Sequence, residues 1–336
     1  MFRQGGPVAL LALAVGAAGP AEPSARLVPV RVDHHVHLNA PAIQAFVPAF
    51  CASIIRLHYG GCDPALTTPH TPAELLAEMD KAGIRRALVL STAYLAESPM
   101  MQPPRTDAAA LMRAANAWTV DLVRRDPTRF RAFISVDPLR RTAFPEIAHW
   151  TGNPAVTGLK LHLTASGVDL RRDRDLADLA AVVHAAALAH WAIVIHLRTQ
   201  RMDYGAPDVR RFLTAVLPAA GDAPVQIAHA AGWGGIDAAT LSALGAFADA
   251  IQAAPGRFRH VWFDLSGVPT DKASKADRQA MVGLIRRIGL RHFLPGSDWP
   301  YNGVDLADYY TRVYPELPLT AREWAVIRSN VAPYAR

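Results

Sequence analysis

From about Leu27 onward, short apolar runs alternate with longer stretches in which Ala and Leu recur every three or four residues. The short runs read as strands at 28–38 (VPVRVDHHVHL), 86–93 (RALVLSTA), 130–138 (FRAFISVDP), 157–163 (TGLKLHL), 192–198 (AIVIHLR), 225–231 (VQIAHAA), 260–267 (HVWFDLSG) and 292–300 (HFLPGSDWP). The stretches between them read as helices. One covers 72–82, with Thr71 before it, Pro72 first and Glu74 third, the pattern of a capping box. A second opens at Asp107 and stops before Asp126-Pro127, and others cover 173–191, 207–218, 237–254 and 271–288, with a shorter piece at 144–151. Residues 39–71 read as one long irregular connection, containing Cys51, Cys62 and several prolines. Loops of that length are usually functional or disordered. Eight strands, each followed by a helix, predict an α/β fold of one closed (β/α)8 barrel of the TIM type. An open doubly wound sheet is the competing arrangement, because strand count does not show closure.

Composition agrees with one large domain: 336 residues, 51% hydrophobic and 19% charged, with no shift that would divide the chain. Net charge is +6, but the 35 Lys and Arg are spread along the chain, many as pairs at helix ends such as Arg124-Arg125 and Arg286-Arg287. They read as solvated faces that complement helix dipoles, not as a nucleic-acid surface. The start, MFRQGGPVALLALAVGAAGPAEPSA, has the layout of a signal peptide, one basic residue followed by an uncharged apolar run. That run is shorter than the about 20 residues a membrane-spanning helix needs. Residues 1–25 are therefore set aside as a leader and 26–336 taken as the barrel, exported and periplasmic, with no stable membrane span once the leader is removed. Export would permit a Cys51–Cys62 disulfide, and two free thiols fit the sequence equally well.

The candidate chemistry lies in VDHHVHL. Residues two apart on a strand share a face, so His35 and His37 aim together with Asp33, whereas His34 faces the helical layer. Two imidazoles so placed can converge on one ion at about 2.0–2.1 Å. Further along, His162, His196, His229 and Asp298 fall in the last residues of the fourth, fifth, sixth and eighth runs, the end where barrel active sites are built. His149, His184, His190, His260 and His292 lie on helices or at strand beginnings and read as packing or surface residues.

The segments DHHVHL, GLKLHL, VIHLR, IAHAAGWGG, WFDLSG and PGSDWP resemble the strand-end signatures of the amidohydrolase superfamily. The likeness is to its amidohydrolase-related branch of metal-dependent hydrolases, lactonases and aromatic decarboxylases, and it runs from about 32 to 300. It implies a (β/α)8 barrel with His35, His37, His196 and Asp298 as ligands of one divalent metal, zinc being favoured by the imidazole-rich set. His229 and Asp298 become the catalytic pair, Asp298 taking a proton from a metal-activated water and His229 orienting water or substrate. Lys160, His162, Arg198 and Trp299 become substrate-binding residues. A carbamylated Lys160 would make room for two metals. The lack of a glutamate at that position argues against a nuclease. Arg198 suits a substrate carboxylate, or pairs with an acid of a neighbouring strand. Arg56 and His58 would reach over the mouth or only pack, Trp233, Trp299 and Tyr301 would wall the pocket or serve plain packing, and Asp264 would hold a ligand or loop in place.

The function so implied is hydrolysis of a small-molecule lactone, ester or amide. Decarboxylation of an aromatic or unsaturated acid and a non-catalytic exported metal- or solute-binding barrel are the alternatives. A homo-oligomer is left open.

Overall fold

The eight apolar runs become eight parallel strands in chain order: β1 (Val32–Val36), β2 (Arg86–Leu90), β3 (Phe130–Ser135), β4 (Val156–His162), β5 (Ala192–His196), β6 (Val225–Ile227), β7 (Val261–Asp264) and β8 (Phe293–Leu294). This computed structural model describes residues 27–57, 62, 64–270 and 272–336, so the leader at 1–25 and His58 lie outside the described residues. The sheet closes between β8 and β1. His34 N–H donates to Pro295 O at 3.0 Å, Asp298 N–H to His35 O at 2.8 Å and His37 N–H to Trp299 O at 2.7 Å. A (β/α)8 barrel results, and the open-sheet alternative falls away.

Alternation along the strands sorts side chains into two layers. Val89, Ile134, Leu159, Leu161, Ile193, Ile195 and Phe263 meet the surrounding helices in the large core. Val32, Leu88, Leu90, Phe133, Ala192, Val194 and Leu294 fill the barrel interior. Gly158 is required there: a Cβ on it would stand 2.3 Å from the Phe133 ring and from Ala192 O.

The helices form at Pro72–Ala82, Ala108–Arg125, Ala143–Trp150, Asp173–Leu188, Ala206–Ala215, Ala238–Ala253 and Lys275–Ile288. Thr71 and Glu74 make the reciprocal box that the sequence announced. The last of these begins at 275, not 271, because the Ser274 hydroxyl accepts from Asp277 N–H at 3.0 Å and fixes the start.

Three expectations need correction. Residues 39–71 are not one irregular connection: Pro41–Arg56 is a helix, with Pro41 in its first turn and Ile43, Phe46, Val47, Phe50 and Ile54 on its buried face. Proline at a first turn is compatible with a helix, and the interior Pro48 stands on the exposed side. Cys51 on this helix is disulfide-bonded to Cys62. Second, the facing of β1 is not a simple alternation, since its pairing with β2 slips between Asp33 and Val36. His34 is directed to the barrel floor, where its ring meets Pro295 O and Ala332 N–H, and Asp33 Oδ1 is held between strands by the N–H groups of His35 and Ser297. A bulge of this kind lets neighbouring residues share a face. Third, the sequence reading placed no element after 300, yet Ala321–Ser329 is a helix with a Thr320/Glu323 capping box. Beyond it Ala332, Tyr334 and Ala335 close the floor against the inner cluster.

Candidate metal centre

Three strand ends and two unusual turns bring the site together at the carboxyl rim of the barrel. β1 supplies His35 and His37, whose Nε2 atoms are 3.1 Å apart. After β8, Asp298 sits at φ +63°, and its Oδ1 lies 3.3 Å from His35 Nε2 and 3.4 Å from His37 Nε2. After β6, His229 stands at φ +53° with Ala230 and Ala231 also left-handed, in a short 3-10 turn that replaces the expected strand end. Non-glycine residues in this region carry strain that the surroundings must hold, and such positions cluster at functional sites. The turn is held by Gly232, packed so closely that a Cβ would meet Thr240 Oγ1 at 2.4 Å. His229, His35 and Asp298 offer donor atoms that all lie within 4.8 Å of one another.

The tautomers follow from the other ring nitrogens. His35 Nδ1 is 3.0 Å from Asp264 Oδ2, His37 Nδ1 is 2.8 Å from Leu90 O and His229 Nδ1 is 2.8 Å from Ser266 O. Each of these acceptors requires Nδ1 to carry the hydrogen, which leaves a lone pair on each Nε2. The Nε2 lone pairs of His35 and His37 then face each other and the Asp298 carboxylate, with nothing in the protein to balance them. His196 Nε2 is likewise buried with no hydrogen-bond partner. A divalent cation is the group that answers this arrangement, and three or four such donors suit zinc or a related ion.

Electrostatics agree. Burial drives His35 down to about 3 and lowers His37, and burial with neighbouring positive groups takes His162 and His196 far below the ordinary value, so these imidazoles are neutral as ligands must be. Lys160 is almost fully buried, and burial takes it down to about 8 against the pull of Asp264 and Asp298.

Above the cluster opens a cavity of about 1150 Å³. His37, Lys160, His162, His196, Arg198, His229 and Asp298 line it, together with Tyr94, Trp233 and Tyr301. His162 stacks on His196 with centroids 4.0 Å apart, and Trp233 sets its edge 5.0 Å from His196. Other sequence-picked residues stand elsewhere or are engaged. Trp299 does not line the cavity: it is buried against His70, ring centroids 4.9 Å apart, which corrects its reading as a substrate contact. Arg198 reaches the wall but is ion-paired with Asp237 at 2.6 Å. Arg56 donates to Gln102 O instead of covering the mouth. Asp264 is hydrogen-bonded to His35 Nδ1.

Two participants escaped the sequence reading. Ser266 Oγ lies 3.1 Å from His35 Nδ1 and 3.0 Å from His229 Nδ1. Gln226 donates to Asp264 Oδ2 at 2.6 Å. A polar residue inside the apolar run VQIAHAA was the available signal for Gln226; Ser266 in FDLSG reads as an ordinary turn residue.

The family model for amidohydrolases matches residues 32–323. The chain belongs to the amidohydrolase family. No curated protein matches it. Among solved structures, 5-carboxyvanillate decarboxylase from Sphingomonas paucimobilis is similar, with TM-score 0.61 and 18% identity over 89% of this chain and 97% of that one. A Burkholderia multivorans amidohydrolase with bound zinc has TM-score 0.58 and 15% identity, covering 89% of this chain and 96% of its own. The 2,6-dihydroxybenzoate decarboxylase from Rhizobium has TM-score 0.59 and 13% identity, with coverage of 89% and 96%. At these identities the likeness is one of fold. No helix among the described residues is long and apolar enough to cross a membrane.

Proposed function

We propose that this amidohydrolase-family chain is a metal-dependent enzyme that decarboxylates a small aromatic acid. The observation that carries the reading is the pairing, in one cavity, of an aromatic wall (Tyr94, Trp233, Tyr301) with the buried cation of Lys160 beside the histidine cluster. A flat ring fits the wall and a carboxylate fits the cation. Two of the similar folds described above are aromatic acid decarboxylases, which supports the choice.

His35, His37, His229 and Asp298 would hold the ion, with His196, its ring 5.0 Å from that of His229, as a further donor. When bound, the ion supplies a Lewis acid for substrate oxygens. The remaining work falls to the protein. Lys160 holds the acid's charge, and the aromatic side chains fix the ring plane. Asp298, the carboxylate at the site, relays a proton from solvent to the ring carbon of the bound carboxylate. The C–C electron pair stays on that carbon, the proton caps it, and CO₂ leaves.

Hydrolysis of a lactone or ester is the second reading, favoured by the zinc-bound amidohydrolase fold, and in it Asp298 would take its proton from water. The test is to load purified protein with zinc or manganese and assay CO₂ release from hydroxybenzoic acids beside acid release from aryl lactones and esters. CO₂ release supports decarboxylation; lactone or ester turnover without CO₂ replaces it with the second reading. The variant His35→Ala/His37→Ala serves as blank, and elemental analysis should give about one metal per chain in the wild type and none in the variant.

The exported, periplasmic location read from residues 1–25 is part of the proposal. The Cys51–Cys62 disulfide supports it, since such bonds persist in oxidising compartments. Cell fractionation decides it.

A further inference from the structure

The carboxyl terminus and the candidate metal centre stand at opposite ends of the barrel, yet a continuous line of hydrogen bonds joins them through the interior. Tyr334 lies in the floor, its ring 6.0 Å from those of Phe133 and Trp262. Its hydroxyl donates to Gln226 Oε1 at 2.6 Å. Gln226 is fully buried, and its Nε2 donates to Asp264 Oδ2 at 2.6 Å and to His34 O at 3.1 Å. The same Asp264 oxygen receives His35 Nδ1–H at 3.0 Å, while Asp264 Oδ1 takes the N–H groups of His229 and Ser266.

Each direction in this line is forced. Asp264 accepts on both oxygens, Oδ1 from the N–H groups of His229 and Ser266 and Oδ2 from His35 Nδ1–H. The end of Gln226 that faces it must therefore be the NH₂ group. Oε1 is then turned toward the floor, where a donor is needed, and Tyr334 provides one.

We infer that Gln226 and Tyr334 are positioning residues for His35: through Asp264 they fix the imidazole's tautomer and aim, so that the carboxyl-terminal tail helps set the affinity of the site for a divalent cation. The inference rests on the metal reading given above. Removing the Tyr334 hydroxyl leaves Gln226 Oε1 buried without a donor and frees the amide to tilt. Asp264 then loses part of the pull that shares its charge and draws more strongly on the His35 proton. Partners one step behind a ligand typically change metal affinity 10–100-fold. Gln226 is two bonds' remove from the ligand and Tyr334 three, so the effects should decline in that order.

The experiment compares Tyr334→Phe, Gln226→Leu and Val331→Ala with wild type. Val331 packs on the same inner cluster without joining the line, so its variant loosens the floor alone. Two quantities are read on full-length protein: zinc affinity by chelator competition, and the His35 Nδ1–H signal of metal-free protein by ¹⁵N-histidine NMR. Tyr334→Phe should weaken zinc about 3–10-fold and Gln226→Leu about 10–100-fold, and both should shift the His35 signal. Val331→Ala should lower thermal stability while leaving affinity and signal unchanged.

An unshifted His35 signal together with wild-type affinity in Tyr334→Phe overturns the inference, as does an equal loss of affinity in Val331→Ala. If wild type itself binds no zinc but the signal still shifts in Tyr334→Phe, the metal reading fails and the positioning of His35 stands.

Discussion

Asp298 is the residue on which the proposed chemistry turns, because it touches both β1 histidines and is the carboxylate at their Nε2 atoms. Asp298→Asn keeps its shape and removes its capacity to carry a proton. Turnover at saturating metal should fall by about 10²–10⁴-fold, and a loss under tenfold in initial rates would assign the proton transfer to another group. A second carboxyl tells of stability instead. Asp137 is buried, with Oδ2 3.7 Å from Arg140 Nε but without a hydrogen bond, and burial pushes it up to about 7, against hydrogen bonding by Leu139 N–H and the charge of Arg140. The folded protein therefore keeps a proton there that the unfolded chain has already lost above the ordinary 3.8. Stability from this group is full below that ordinary value and is lost as pH rises toward 7, after which it is level. Asp137→Asn lacks this loss, so the difference in urea midpoint between variant and wild type should grow in the variant's favour between pH 4 and 7. A flat difference would show that Asp137 ionises freely. At this scale the site was legible wherever histidine and aspartate stood at strand ends, since HxH and SDxP carry their chemistry in their residue types. Ser266, Gln226 and Tyr334 were not legible, because a serine in a turn, one amide in a strand and a tyrosine near a terminus become meaningful only when the barrel brings them to one line. Trp299 was read as a wall because it follows the eighth strand, and plain packing, the other reading, is what its contact with His70 shows.

The strands were legible as apolar runs, but their ends were not. β6 and β8 stop at Ile227 and Leu294, and the residues that follow enter left-handed turns that no periodicity announces. The slip in β1 had the same effect on His34. Glycine shows how strictly the elements are fitted. At Gly158 in β4 an added methyl would meet the Ala192 carbonyl and the Phe133 ring at 2.3 Å, and neither can retreat within a closed sheet. Gly158→Ala should cost at least roughly 3 kcal/mol, the upper end for overpacking. Gly152, at φ +79°, has open space around the same position. Gly152→Ala should cost only the about 1–2 kcal/mol of a left-handed non-glycine residue. Urea unfolding of both variants checks the contrast, and equal losses would mean that β4 yields to the methyl.

Over the whole molecule, arginines spread along the chain pair with carboxylates of neighbouring elements, as in Arg286–Glu323, Arg287–Asp249 and Arg171–Asp208. The weak point of the barrel is its seam. β8 has two residues, and its pairing with β1 depends on a few backbone bonds around Pro295, Asp298 and Trp299. His35, His37 and Asp298 face one another across that seam, and His229 adds the turn after β6. An ion shared by these residues would bind the folded state and not the unfolded chain, and it would act as a clasp where the sheet is least paired. At free ion a thousand times the dissociation constant the stabilisation is about 4.1 kcal/mol, on the order of 5–10 °C in melting temperature for a domain this large. Stripping the protein with a chelator should remove that increment. Hydrogen exchange should then rise first in peptides covering 32–37 and 293–300, while β2 to β4 and the floor around 331–335 keep their protection. A uniform rise would place the clasp elsewhere, because an ion held at the seam has its largest effect on the strands it joins.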